Sequence, residues 1–286
     1  MSFHILTDSC TDLPASLSGT YKDFSYLSLS YTIDGKPGPE GLSGKDFYDI
    51  LRNGSMSKTS QINPDAFEDE FNRLLAENKK EILYIGFSSG LSATYNSGEI
   101  AAKTIMDQNP DSKIYAVDTL SASMGYGLLV DYAVRMRDEG KSIEEVRDWL
   151  EANKLKMNHW FTVDDLNFLQ RGGRVSAGAA WFGTILSIKP VMNMDDAGHL
   201  IPREKKMGRV KAVNRLYEKM KEMAVEPEKQ RVFISHGDCM EDVEELMRLI
   251  RENLGTTDFV VSYVGNVIGS HTGPGVLALF FMGNHR

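Results

Sequence analysis

At 286 residues the chain is too long for one ordinary core, and two domains of moderate size are expected. Its 25% charged and 42% hydrophobic residues suit a soluble globular protein, and a net charge of −8 argues against a nonspecific grip on nucleic-acid phosphates. Cys10 and Cys239 are far apart and the six histidines are scattered without an H-E-x-x-H pattern, so neither a disulfide framework nor a catalytic zinc is expected.

The first ten residues, MSFHILTDSC, reach Asp8 too soon for a signal-peptide core. No apolar stretch approaches the roughly 18 residues of a membrane span. The expected location is the cytoplasm.

Phe3 to Thr7 predicts a strand ended by Asp8 and Ser9. Phe24 to Ile33 alternates apolar and polar side chains and predicts one extended run. Leu42 to Leu51 has helical spacing behind a Ser43 cap. Asn63 caps a second helix, with Pro64 at its first position. Ile82 to Ile85 predicts a buried strand, Ala93 to Met106 a helix, and Ile114 to Val117 another strand stopped by Asp118 and Thr119. Met124 to Arg137 and Ile143 to Ala152 are helices, the second opened by Ser142 with Glu144 and Glu145 at the positive end of its dipole. Strands separated by such helices predict a parallel sheet with both faces covered, and ligands bind beyond the carboxyl ends of its strands. Three of those ends are polar: Thr7-Asp8-Ser9, Ser88-Ser89 and Asp118-Thr119-Leu120-Ser121.

The second half has another pattern. Asn158 to Val163 is one extended run. Pro190 to Met194 and His199 to Pro202 flank Asp195-Asp196-Ala197-Gly198, a hairpin signal. Arg209 to Met223 and Met240 to Asn253 are helical, while Val232 to Ser235, Phe259 to Val264 and Val276 to Met282 are strands. The expected fold class is α/β, with a parallel α/β sheet domain over residues 1–155 followed by a mixed-sheet α/β domain over 156–286.

Ser88 lies in Gly86-Phe87-Ser88-Ser89-Gly90, a literal G-x-S-x-G after a strand, so a serine hydrolase must be considered. That chemistry needs His236 or His271 beside Ser88 and a carboxylate to orient it. Yet Ser89-Gly90-Leu91-Ser92 separates Ser88 from its helix, Ser92 is the better cap, and no HGGG-type oxyanion motif occurs.

The alternative is an anion cradle. Glycines admit close backbone approach, Ser92 and Thr94 offer hydroxyls, and the first N–H groups of a helix are unpaired donors. The loop lacks the lysine of a phosphate loop, so a carboxylate is the more natural guest. Lys58-Thr59-Ser60-Gln61 is a second polar cluster, and by itself reads as a surface turn. His271-Thr272-Gly273-Pro274-Gly275 predicts a turn holding His271 in one place. Arg171-Gly172-Gly173-Arg174 reads equally well as a cation hairpin for anions or as a solvated loop.

Taken together these clusters resemble the DegV family of bacterial fatty-acid-binding proteins. The likeness rests on ILTDSCTDLP at the start, KTSQ at 58–61, SSGLSATYNS at 88–97, VDTLSAS at 117–123, LNFLQRGGRVS at 166–176, SIKPVMNMDDAGHL at 187–200 and IGSHTGPGVLALFF at 268–281. The resemblance implies a two-domain DegV-like fold with a long-chain fatty acid, of the C14–C18 class, in a slot between the domains. It implies a carboxylate held by hydroxyls matching Thr59 and Ser92 with His271 nearby, and Ser60 as a lesser candidate.

Family members of the FakB type present the acid to a separate ATP-using fatty acid kinase subunit that makes an acyl phosphate for phospholipid synthesis. The chain is then a non-catalytic binding subunit without cofactor or metal. Leu166, Phe168, Leu169, Trp181, Phe182, Ile185, Leu186 and Ile188 are expected to line the slot or to belong to the core, and the 14 methionines suit an adaptable wall. Two places depart from the family pattern: Ile62-Asn63 delays the proline after KTSQ, and Met207 stands where an arginine is usual.

Overall fold

The computed structural model describes residues 2–175 and 187–286. In chain order the first half contains β1 (His4–Asp8), α1 (Ala15–Ser18), β2 (Phe24–Leu27), β3 (Ser30–Ile33), β4 (Lys36–Pro37), α2 (Gly44–Arg52), β5 (Ser57–Ser60), α3 (Pro64–Ala76), β6 (Glu81–Gly86), α4 (Thr94–Gln108), β7 (Lys113–Asp118), α5 (Ser123–Asp138) and α6 (Ile143–Asn153). The second contains β8 (Met157–Thr162), α7 (Asn167–Arg171), β9 (Ile188–Met194), β10 (Leu200–Met207), α8 (Arg209–Met223), β11 (Arg231–His236), α9 (Met240–Leu254), β12 (Asp258–Tyr263), α10 (Asn266–Thr272) and β13 (Leu277–Met282).

The expected α/β architecture is present. β2-β1-β6-β7 form an all-parallel sheet, and β10-β9-β8-β13-β11-β12 form a mixed one. In the mixed sheet only β11 and β12 are parallel neighbours; the other described pairs are antiparallel. The change of sheet falls between α6 and β8.

Caps act where their residue types suggest. Ser43 Oγ accepts from Asp46 N–H and Asn63 Oδ1 from Ala66 N–H, while Ser142 and Glu145 form a reciprocal capping box.

Two expectations are corrected. Phe24 to Ile33 is two strands in different sheets: Ser9 Oγ accepts the Leu29 N–H, and there the chain leaves β2 to pair β3 with β4 and β5. Lys58-Thr59-Ser60-Gln61 is not a turn but largely β5, paired with β3 through Ser30–Ser60 and Tyr31–Thr59.

The mixed sheet uses its two faces differently. Trp160, Val191, Ile234, Leu277, Leu279 and Phe281 face α8 and α9 in a small core of their own. Phe161, Val163, Met192, Phe233, Ala278 and Phe280 alternate with them and join the main core, which also holds Ile5, Leu83 and Val117 of the parallel sheet. α5 lies against β8, β11 and β13, and it is buried nearly all round from Ser123 to Val134, with exposed charges only in its last turn at Arg135 and Asp138.

Candidate functional site

The carboxyl ends of the parallel strands act as braces. Asp8, ending β1, accepts from the N–H groups of Cys10 (2.9 Å) and Phe87 (3.1 Å). Asp118, ending β7, accepts from Ser89 N–H (3.2 Å) and Leu120 N–H (3.0 Å), and Ser88 N–H donates to Ser121 O. Both carboxylates therefore hold the 86–92 loop in place. Burial raises Asp8 to about 6, against the lowering effect of the N–H groups from Cys10 and Phe87.

Beyond that loop lies a cavity of about 480 Å³, within the usual range for small-molecule sites. One part of its wall is polar: Thr59, Gln61, Ser89, Ser92, Arg174 and His271. The body is apolar, with Leu29, Phe87, Phe161, Leu169, Met194, Ile268, Ala278 and Phe280 among its lining. No Asp or Glu lines it among the described residues, although acidic residues outnumber basic ones 40 to 32 in the chain.

The structure brings three of the four sequence candidates to this wall. β5 alternates, so Ser57 and Thr59 face inward while Lys58 and Ser60 are exposed; Ser60 is not part of the wall. Thr59 Oγ1 is 2.7 Å from His271 Nε2. His271 is in the last turn of α10 rather than in a turn after it, and α10 packs against β5. The helix stops at Gly273, whose φ of 72° is open to glycine and whose missing Cβ leaves room for the Phe168 ring. Gly172 does the same for His271, because a Cβ there would overlap Nδ1.

Burial, with the nearby Arg174 charge adding to it, lowers His271 to about 4. The imidazole is neutral at pH 7, with one N–H to give and one lone pair to receive. Ser92 precedes α4. Its Oγ accepts from Thr94 N–H (3.2 Å) and lies 2.9 Å from Thr94 Oγ1, so Ala93, not Ser92, occupies the cap position.

Arg171-Gly172-Gly173-Arg174 is no hairpin; it is the end of α7 and the turn after it. Arg174 donates to Leu91 O (3.2 Å) and to Gly172 O (2.5 Å), and among the described residues it has no carboxylate partner. Burial lowers its pKa.

The expected apolar lining is only partly on the wall. Leu169 lines the cavity, Phe168 lines a smaller neighbouring one, and Leu166 packs on the main core. Ile188 begins β9 half-buried and is outside the cavity wall. Trp181, Phe182, Ile185 and Leu186 lie outside the described residues.

Sequence reasoning did not pick out Phe161, Ala278 or Phe280, whose period-two spacing was visible but whose facing partner was not. It also missed His159, Ser123 and Ser235, which line the cavity too. Ser123 Oγ donates to Asp12 Oδ2 (2.5 Å) and is 2.9 Å from Ser235 Oγ. Burial raises Asp12 to about 7, despite the opposing Ser123 hydrogen bond.

Ser88 makes no triad among the described residues. Its buried hydroxyl donates to Gly198 O (2.9 Å) and accepts from Gly90 N–H (3.2 Å). His271 is engaged with Thr59, and His236 stacks on Tyr263 at 4.5 Å between ring centres.

Comparison with known proteins places this geometry in context. A family model described as "Uncharacterised protein, DegV family" matches residues 2–284. A DegV domain-containing protein of Clostridium perfringens is 45% identical over 99% of this chain and 98% of its own. A DegV lipid binding protein from Thermotoga maritima has the same fold at TM-score 0.87, with 32% identity and all of both chains covered. A second Thermotoga maritima protein, whose structure is described as revealing a fatty acid binding function, superposes at TM-score 0.85 with 33% identity over 99% of each chain. No helix among the described residues is long and apolar enough to cross a membrane.

Proposed function

This chain belongs to the DegV family, and on that footing we propose that it binds one long-chain fatty acid and presents its carboxylate to a separate ATP-dependent fatty acid kinase subunit. The observation that carries the binding half is the cavity: a largely apolar space of about 480 Å³ with no acidic residue in its described lining, whose polar wall gathers Thr59, Ser92, His271 and Arg174. A carboxylate withdrawn from water needs donors. Here the Ser92 hydroxyl and the Thr59–His271 pair supply them, with the Arg174 charge close by. One proton of the pair is spent between Oγ1 and Nε2, so with the imidazole donating from Nε2 to Thr59 Oγ1 the Thr59 hydroxyl donates to the carboxylate. The acyl chain follows the apolar wall between the two sheets. At about 0.8 kcal/mol per buried CH₂, some fifteen methylenes give roughly 12 kcal/mol before ordering costs, enough for tight binding.

In this reading the chain binds and hands over. A carboxylate oxygen attacks the γ-phosphorus of ATP held by the kinase, ADP leaves, and the product is an acyl phosphate. A hydrolase role for Ser88 is disfavoured, because its hydroxyl is committed to Gly198 O and no histidine is its partner among the described residues.

The test is mass spectrometry of the purified protein, native and then solvent-extracted. A stoichiometric C14–C18 acid is expected. A protein that is empty and takes up neither palmitate nor oleate overturns the reading. The hand-over is tested separately, by mixing loaded protein, ATP and a fatty acid kinase subunit; no acyl phosphate would remove that half alone.

A further inference from the structure

The cavity is polar in a second place, away from the Thr59–His271 wall. His159 of β8 lines it, and the residue is 2% exposed with neither ring nitrogen in a hydrogen bond among the described residues. The Met157 backbone acts on the ring from the same strand without reaching hydrogen-bond geometry. Nine described residues carry such an unpartnered buried side-chain atom, and His159 alone of them lines the cavity. Burial, with the Arg286 charge adding to it, holds its pKa well below the ordinary 6.5. The imidazole is therefore neutral, with one N–H to give and one lone pair to receive. A buried polar group left unpaired bears its full desolvation cost, so this ring calls for a partner that the described residues do not supply.

The fold fixes where that place is. β8 runs toward α7, and β13 begins just after the His271–Gly275 segment, so the paired ends Thr162 and Leu277 lie on the side of the polar wall. Phe161 pairs with Ala278, and His159 pairs with Phe280 two residues deeper, a strand rise of roughly 6.6 Å. The His159 and Phe280 rings meet edge to face, with centres 5.6 Å apart, so Phe280 covers the imidazole but offers it no oxygen. On the α5 side, a Cβ at Gly125 would lie 2.5 Å from His159 Nε2. Glycine there leaves a gap beside that nitrogen which any side chain would fill. The polar groups at the start of α5 are already engaged: Ser123 donates to Asp12 and lies 2.9 Å from Ser235 Oγ.

We propose that His159 recognises an oxygen atom carried along the acyl chain, so that the slot selects a hydroxylated long-chain acid over the plain one. The inference rests on the fatty-acid reading and narrows it to an oxygenated class of ligand. A hydroxyl both donates and accepts, as a neutral imidazole does. A second carboxylate is a poorer match, because Arg174 is the one cation in the described lining and belongs to the polar wall. An all-apolar slot disfavours a hydroxyl, whereas a slot holding an unpaired imidazole is penalised when the hydroxyl is missing.

The experiment compares octadecanoate by calorimetry with three hydroxyoctadecanoates, hydroxylated beside the carboxylate, at mid-chain and near the methyl end. The native chain is expected to bind one of the latter two about fivefold or more tighter than octadecanoate, and the first no tighter. His159→Phe should abolish that preference while keeping octadecanoate within about twofold, and His159→Gln, which retains a donor and an acceptor, should restore part of it. A native chain that binds no hydroxy acid more tightly than octadecanoate overturns the assignment and leaves a buried water as the partner of His159. A preference that survives in His159→Phe also overturns it. The first arm uses the native chain alone, so it decides the matter even where a variant fails to fold. Failure of the native chain to bind any of the four acids overturns the fatty-acid reading itself, so the two failures are told apart.

Discussion

Single side chains decide how the polar wall works. A hydroxyl that donates to a carboxylate contributes on the order of 1.5–3 kcal/mol, so Thr59→Ala and Ser92→Ala are each expected to weaken acid binding by roughly 10- to 100-fold with the melting curve little changed. Calorimetry with palmitate checks this, and unchanged affinity in both variants removes the assignment. Gly172 is a subtler case. Its backbone lies where a side chain would overlap His271 Nδ1. Gly172→Ala should push the imidazole away from Thr59 and lower acid affinity, whereas Gly173→Ala, one residue on at a φ of 69°, should cost stability and leave affinity alone. Equal losses of affinity in the two would show that the turn, not His271, is what matters. These residues were partly legible in the sequence. Ser92, Thr59 and His271 stand in polar clusters, two of them beside glycines, but only the fold shows that Thr59 and His271 meet, because they are 212 positions apart.

At the level of elements, the mixed sheet turns one face to the cavity, where the acyl chain is proposed to lie, and the other to a packed core. Ala278 of β13 pairs with Phe161 of β8 and Ser235 of β11, and it is the small apolar residue of that cavity-facing row. Ala278→Leu should fill space that the chain would otherwise use. Displacing about two methylenes would cost roughly 1.6 kcal/mol, or ~15-fold, for palmitate, while a ten-carbon acid should be nearly unaffected. A uniform loss across chain lengths would place Ala278 outside the acyl path. Strong local signals made most elements readable in advance: Asn63-Pro64 and Ser142 open helices, and Ile82 to Ile85 could hardly be anything but a buried strand. β5 was not readable, since Ser57-Lys58-Thr59-Ser60 has no apolar alternation and its strand character comes only from pairing with β3. α10 was hidden for a related reason: it has seven residues, too few for a periodic pattern, and is held by β5 and α7. The division of Phe24 to Ile33 between two sheets depends on Ser9, which is distant in sequence.

For the whole molecule, the buried acids set a pH dependence. Asp8 and Asp12 titrate at about 6 and about 7 when folded, against an ordinary 3.8. Between those values the folded chain keeps protons that the unfolded chain has released, so this contribution to stability falls as pH rises from about 4 to 7. His4 and His271, held near 4 by burial against an ordinary 6.5, act in the opposite sense, and their contribution rises across that interval and then levels off. His159 and His236, also lowered by burial, add to that rise, which runs on above 6.5 until the unfolded imidazoles have lost their protons, so the Asp12 contribution is read by difference. In urea titrations the stability of the native chain relative to Asp12→Asn is expected to fall from pH 5 to pH 8. A native-minus-variant difference that does not change with pH would remove Asp12 as a source of the pH dependence.

The main core runs from the parallel sheet to the inner face of the mixed sheet with an acid-sized hollow between them. A hollow is volume that unfolding eliminates, and hydrostatic pressure favours whichever state is smaller. The empty chain is therefore expected to unfold at markedly lower pressure than the chain loaded with palmitate, by more than their difference in heat stability alone would suggest. Ala278→Leu should harden the empty chain against pressure for the same reason. Tryptophan fluorescence in a high-pressure cell reads both, and the lipid then counts as a piece of the protein interior supplied from outside.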